Sequence, residues 1–117
     1  MRRDPRAFLW DALSAAEAIQ GFVQGRDAGL YAADELLHSA VERKFEIIGE
    51  ALGQLARVDA ELATHVPRLA PIVAFRNVLI HGYAVVNHAT VWNVVQDALP
   101  ELTATLRRLL SEADPGS

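Results

Sequence analysis

Apolar residues recur three and four positions apart along most of this chain, the spacing that puts them on one side of a helix. Phe8, Leu9, Leu13, Ala16, Ile19 and Val23 mark a first helix. Asp4 is its N-cap, Pro5 lies in its first turn and Gly25 is its stop. The stretch "GRDAGLYAAD" reads as a short loop. A second helix then starts between positions 31 and 34 and runs to about Arg57, with Leu37, Val41, Phe45, Ile48, Leu52 and Leu55 as its stripe. Its other side carries Glu42, Arg43, Glu46, Glu50 and Gln54. Gly49 and Gly53 lie one turn apart in it. Each costs roughly 1 kcal/mol relative to Ala, so close approach of another backbone is the expected reason for them. "VDAELATHVPRLAP" reads as a helical turn inside a connection. The next helix covers 71–81, with Gly82 as a left-handed cap. The last opens at Asn87 and carries Val91, Trp92, Val94, Val95, Ala98, Leu99, Leu102 and Leu106. Pro100 must kink or split it. No segment alternates with period two and β-branched enrichment. The expectation is an all-α, four- to five-helix up-and-down bundle, one domain over 1–110 with a frayed tail at 111–117.

Composition narrows the function classes. A chain of 117 residues has room for one core, and 51% apolar content argues against disorder. The absence of cysteine excludes disulfides and thiolate metal sites. No apolar run approaches the roughly 18–20 residues of a membrane span. The start, "MRRDPRAFLW", lacks the apolar stretch of a secretory signal, so the expected location is cytoplasmic. A net charge of −4 argues against a broad basic face for nucleic acid. Ten of the eleven basic residues are Arg, and Lys44 alone is Lys. A polyanion site here must be local, built by a few arginines in a cleft.

One segment departs from the pattern. In "AFRNVLIHGY" (74–83) a core-like run, with Ile72, Val73, Phe75, Val78, Leu79 and Ile80, carries Arg76, Asn77, His81 and Tyr83. At about 100° per residue, Asn77 and His81 share a face, and Tyr83 would come nearly above Arg76 if the turn continued. A partly buried Arg needs an anion or several acceptors. A structural role is available: Arg76 pairs with Glu46 or Glu50, His81 answers the helix dipole, and Tyr83 is a core residue with a satisfied hydroxyl. Chemistry is the other reading. The remaining histidines, His38, His65 and His88, are far apart and are read as lacking metal-site spacing to carboxylates, so no metal is expected. Glu46 and Glu50 have no accompanying Glu-x-x-His pairs of a di-iron bundle. The chain also lacks a Gly-rich phosphate loop and a Gly-x-Ser-x-Gly elbow.

The pattern Arg-x4-His-x-Tyr formed by Arg76, His81 and Tyr83 resembles the signature of the HepT-like HEPN toxins. "AVERKFEIIGEAL" (40–52) looks like that family's second helix, "VWNVV...LPEL" like its last and "FLWDALSAAEAI" like its first, so the resemblance spans nearly the whole chain. It implies a metal-independent endoribonuclease, without a cofactor, that is the toxin of a toxin–antitoxin pair. The implied partner is an MNT-type nucleotidyltransferase antitoxin, which silences such toxins by AMPylation of the motif tyrosine, here Tyr83. Relatives often carry Asp shortly after that tyrosine, where this chain has Asn87.

The residue types suit that chemistry. Attack of an RNA 2′-hydroxyl on its own phosphate needs a base, an acid and a cation for the crowded phosphorane. Arg76 offers a planar fork for phosphate, and His81 can take or give a proton near neutral pH. Asn77 is the expected supporting residue. One imidazole per chain leaves the acid and base roles to be shared, which a two-fold homodimer with facing motif helices would resolve. Such composite sites are what the resemblance implies. The alternative is a non-catalytic helical subunit whose polar cluster binds a nucleotidyltransferase or a nucleotide. A purely structural dimer is a third reading.

Overall fold

A computed structural model describes residues 3–82 and 86–113. Among them the chain forms seven helices and no strand: α1 (Pro5–Val23), α2 (Ala28–Ala33), α3 (Glu35–Val58), α4 (Ala60–Ala63), α5 (Leu69–His81), α6 (His88–Asp97) and α7 (Leu99–Ala113). Five are long and two short, which is the expected all-α bundle; α4 is the helical turn expected in a connection, and α2 is additional.

Each boundary has a local cause. The Asp4 carboxylate accepts from the Arg6 amide at 2.9 Å, and Pro5 opens α1. The side-chain hydrogen bonds from Arg6, and then its amide, hold the Asp4 carboxyl below the ordinary range. The charged cap is therefore retained above the ordinary Asp pKa and is lost as pH falls through the lowered value. After α1, Gly25 takes φ +77°, a conformation that favours glycine, and the Arg26 amide closes the turn on the Val23 carbonyl at 2.9 Å. Asp34 ends α2 and caps α3, and Asn87 caps α6 by accepting from the Ala89 and Thr90 amides. Pro100 splits the last helix: α6 stops at Asp97 and Pro100 becomes the second residue of α7, where a missing amide hydrogen costs little.

The core lies along the contact of α1 with α3. Leu9 and Ile19 of α1 meet the fully buried Ile48, Leu52 and Leu55 of α3, and α7 closes the other flank of α1 with Leu102, Leu106 and Leu109. Every residue of the three predicted stripes except the half-buried Ala98 is buried or packed against the core. The polar Thr103 is buried with them, its hydroxyl donating to the Leu99 carbonyl at 2.8 Å.

Three expectations need correction. The expected loop after Gly25 contains α2, which forms because Asp27 accepts from the Leu30 amide at 2.8 Å and Tyr31 is buried completely. Gly82 has φ −121° rather than a left-handed value, and its amide donates to the Val78 carbonyl at 2.7 Å. Only part of the apolar run of α5 is core: Leu79 is buried and Ile72 and Phe75 pack against the core, whereas Val78 is 46% and Ile80 37% exposed. The helix packs chiefly on α3, so only one side of it is covered.

Candidate functional site

The seam between α3 and α5 is set by Gly49. A Cβ there would collide with Cβ of Arg76 and come within 3.0 Å of its Cγ, so the missing side chain lets the Arg76 stem lie on α3. The sequence reading placed a backbone in that gap; a side-chain stem fills it. Gly53 is looser, with Val73 Cγ2 at 3.9 Å from where its Cβ would be.

So placed, the Arg76 guanidinium reaches Glu50 at 2.7 Å and donates to Asn77 Oδ1 at 3.2 Å. Its Nε is shielded from solvent and has no hydrogen-bond partner. Of the two carboxylates considered from sequence, Glu50 is the one Arg76 uses. Glu46 instead meets Arg43 at 3.3 Å. Arg76 therefore presents a half-covered fork whose donors are only partly used.

The fork lines a cleft of about 570 Å³ between α1, α3 and α5. Arg3, Arg43 and Arg76 border it, as do Asp11, Glu46 and Glu50. Each arginine is matched to one acid, Arg3 with Asp11 at 2.9 Å completing the set. The arginines do gather locally, as the acidic composition required, but the cleft is electrically balanced. Such partly exposed pairs contribute roughly 0–1 kcal/mol each, so a phosphate can exchange for a carboxylate at small cost.

His81 ends α5 and is exposed, at the carbonyl pole of the helix dipole. It lies about 140° around the helix from Arg76 and roughly 7.5 Å along it. Within one chain these two groups face different directions, whereas Asn77 and His81 share the outer side. Tyr83 lies outside the described residues.

A second polar cluster was missed. His38 and Glu42 are four apart on α3, a spacing that the sequence reading denied to the histidines, and α6 brings His88 beside them. Glu42 Oε2 is 3.5 Å from His38 Nδ1 and 3.9 Å from His88 Nδ1. The two imidazoles stack at a centroid distance of 3.9 Å and an interplanar angle of 27°. Tyr31 meets both rings edge-on at 6.1 Å. Burial pushes its phenol well above the usual tyrosine range, and the Glu42 charge adds to that, so the hydroxyl stays protonated. The His38–Glu42 half was visible as i,i+4 spacing; the approach of His88 was not.

Residues 12–109 match the family described as ribonuclease HepT-like. A candidate RNase of Methanocaldococcus jannaschii is 32% identical over 101 residues, covering 86% of this chain and 92% of that protein. A candidate RNase of Caldanaerobacter subterraneus is 31% identical over 110 residues, 94% of this chain and 97% of its own length. The "Probable ribonuclease HepT" of Thermococcus cleftensis is 28% identical over 109 residues, 93% and 98% of the two chains. No solved structure gives a significant match.

Proposed function

The chain belongs to the HepT-like ribonuclease family, and from that premise we propose that it is an endoribonuclease toxin in which Arg76 and His81 carry out metal-independent cleavage of RNA at a homodimer interface. The observation that carries the reading is the placement of the Arg76 fork. It is held by Glu50 and Asn77 on the wall of a cleft, with donors to spare, five residues before an exposed histidine.

In the reaction, the 2′-oxygen attacks the adjacent phosphorus, the bond to the 5′-oxygen breaks, and a 2′,3′-cyclic phosphate and a 5′-hydroxyl result. One imidazole takes the 2′-hydroxyl proton and a second gives a proton to the leaving oxygen. Arg76 binds two phosphate oxygens and stabilises the charge that builds up on them. The nucleophile is part of the substrate, so the enzyme's task is orientation and charge. Asn77 supports it by holding the guanidinium through its Oδ1.

The second imidazole comes from a second copy. Taken around α5, Ile80, Asn77, His81 and Val78 follow one another within about 160° of the outer side, and all four are exposed. Two apolar side chains flanking two polar ones make a face suited to its own two-fold image. Facing helices would bring the His81 of one chain towards the Arg76 of the other and overcome the 140° between them.

Regulation follows from Tyr83 being two residues beyond His81. An MNT-type nucleotidyltransferase antitoxin that transferred AMP to its hydroxyl would set an anion and an adenosine beside the catalytic groups, neutralising Arg76 and filling the groove.

The test is cleavage of cellular RNA in excess chelator by protein whose intact mass shows no adduct. Wild type and Tyr83→Phe should cut and leave cyclic-phosphate ends, His81→Ala should not, and Tyr83→Phe alone should stay active after incubation with the nucleotidyltransferase and ATP. No cutting by unmodified, dimeric wild type would overturn the enzyme reading and make the cluster a binding site for the nucleotidyltransferase or a nucleotide. Silencing of Tyr83→Phe without an adduct would replace modification by steric binding.

A further inference from the structure

We propose that His38, Glu42 and His88 form a binding site for one divalent transition-metal ion of the zinc class, which pins the start of α6 to α3. The donor set is two imidazoles and one carboxylate, the combination that suits zinc, cobalt or nickel rather than magnesium or calcium, which require mostly oxygen ligands.

The geometry is close to what an ion needs. With bonds of about 2.0–2.1 Å, ligand atoms around a tetrahedral ion stand about 3.4 Å apart. Glu42 Oε2 and His38 Nδ1 are already 3.5 Å apart, and Glu42 Oε2 and His88 Nδ1 are 3.9 Å apart. One ligand atom from each of the three residues lies within 4.8 Å of the others, the sole such group among the described residues. The two imidazoles, stacked in this structure, must also turn so that both nitrogens aim at the one ion, which lies in the plane of each ring it binds.

Two further observations point to a ligand. Both Nδ1 atoms are shielded from solvent, and neither makes a hydrogen bond that would satisfy it. Shielded, unsatisfied nitrogens are uncommon in folded proteins and call for an explanation. A divalent ion satisfies both nitrogens with the rings neutral and uses the carboxylate as the third ligand. Three protein ligands leave one position open to water, and both histidines retain some exposure through which an ion can enter.

The site is separate from the proposed ribonuclease centre and does not depend on it. Glu42 and Glu50 are eight residues apart on α3, about 12 Å along the helix. The ion would be structural: His88 is the first residue of α6, and Glu42 lies two turns into α3.

The experiment uses the full chain without an affinity tag, stripped with chelator and then titrated with zinc by calorimetry and with cobalt by visible absorption. The expected result is one ion per chain, a cobalt band of low-symmetry nitrogen and oxygen coordination, and a melting midpoint that rises with zinc. In His38→Gln/His88→Gln the binding and the rise should both disappear. Zinc-edge X-ray absorption of wild type should show two imidazoles, a reading that needs no variant to fold. Absence of stoichiometric binding by helical wild type, undiminished binding by a folded double variant, or an edge spectrum without imidazole would each overturn the site.

Discussion

Arg76 shows how much of a single residue's role lies in its stem. Its first carbons occupy the space opened by Gly49, and its guanidinium is turned by Glu50 and Asn77. The two parts can be separated experimentally. In Arg76→Lys the aliphatic stem and the charge remain, while the planar fork that grips two phosphate oxygens is lost. Cleavage should therefore fall by about 100-fold, the scale of losing one transition-state donor. Stability should change by less than about 1 kcal/mol, because the ion pair with Glu50 is partly exposed. Steady-state cleavage and thermal melting of the same preparation check both halves. Equal loss of fold and activity would instead make Arg76 a structural residue.

Helix α3 is the element that organises the rest: one side makes the core with α1, another receives α5, and its polar side supplies Glu42, Glu46 and Glu50. Its two glycines look alike in sequence and should behave in opposite ways. Gly53→Ala adds a methyl at ordinary contact distance from Val73 and removes the roughly 1 kcal/mol penalty of a mid-helix glycine, so it should stabilise. Gly49→Ala gains the same propensity but drives a methyl into the Arg76 stem. Overpacking of that kind costs about 1–3 kcal/mol and would push α5, with its Arg76 and His81, away from α3. Melting midpoints that move in opposite directions, with cleavage lost only in Gly49→Ala, are the expected pattern. If both variants were stabilised, α5 would be able to slide on α3 more freely than this packing allows.

For the molecule as a whole, the unusual feature is a helix that is apolar on most sides yet covered on one. Val78 and Ile80 stand exposed around Asn77 and His81 on α5, and a second copy of the chain is the proposed cover. A charge there opposes association without touching the core, so Ile80→Glu should be monomeric at concentrations where wild type is dimeric. Its cleavage should fall at least tenfold while its helix content is kept. Sedimentation equilibrium alongside the cleavage assay measures this; a dimeric, active Ile80→Glu would move the interface elsewhere. Among the described residues no helix is long and apolar enough to cross a membrane.

The sequence alone determined the helices whose two sides differ. In α1, α3 and the split α6–α7 pair the apolar stripe is narrow, and only one orientation buries it. Caps were equally legible at Asp4 and Asn87, which act through hydrogen bonds to amides two or three residues away. The sequence also put Arg76 and His81 on one helix, five residues and so about 140° apart around it. Tertiary structure decided what depends on distant residues. The segment 71–81 is apolar nearly all round, so its pattern contains no direction, and packing on α3 alone chose which side stayed open. Gly82 satisfies its amide within the helix and had no need of the left-handed turn that glycine permits. The choice of Glu50 rather than Glu46 by Arg76, and the meeting of His88 with His38 fifty residues away in sequence, arise because chain closure brings together groups whose attraction is short-ranged and leaves no periodic trace.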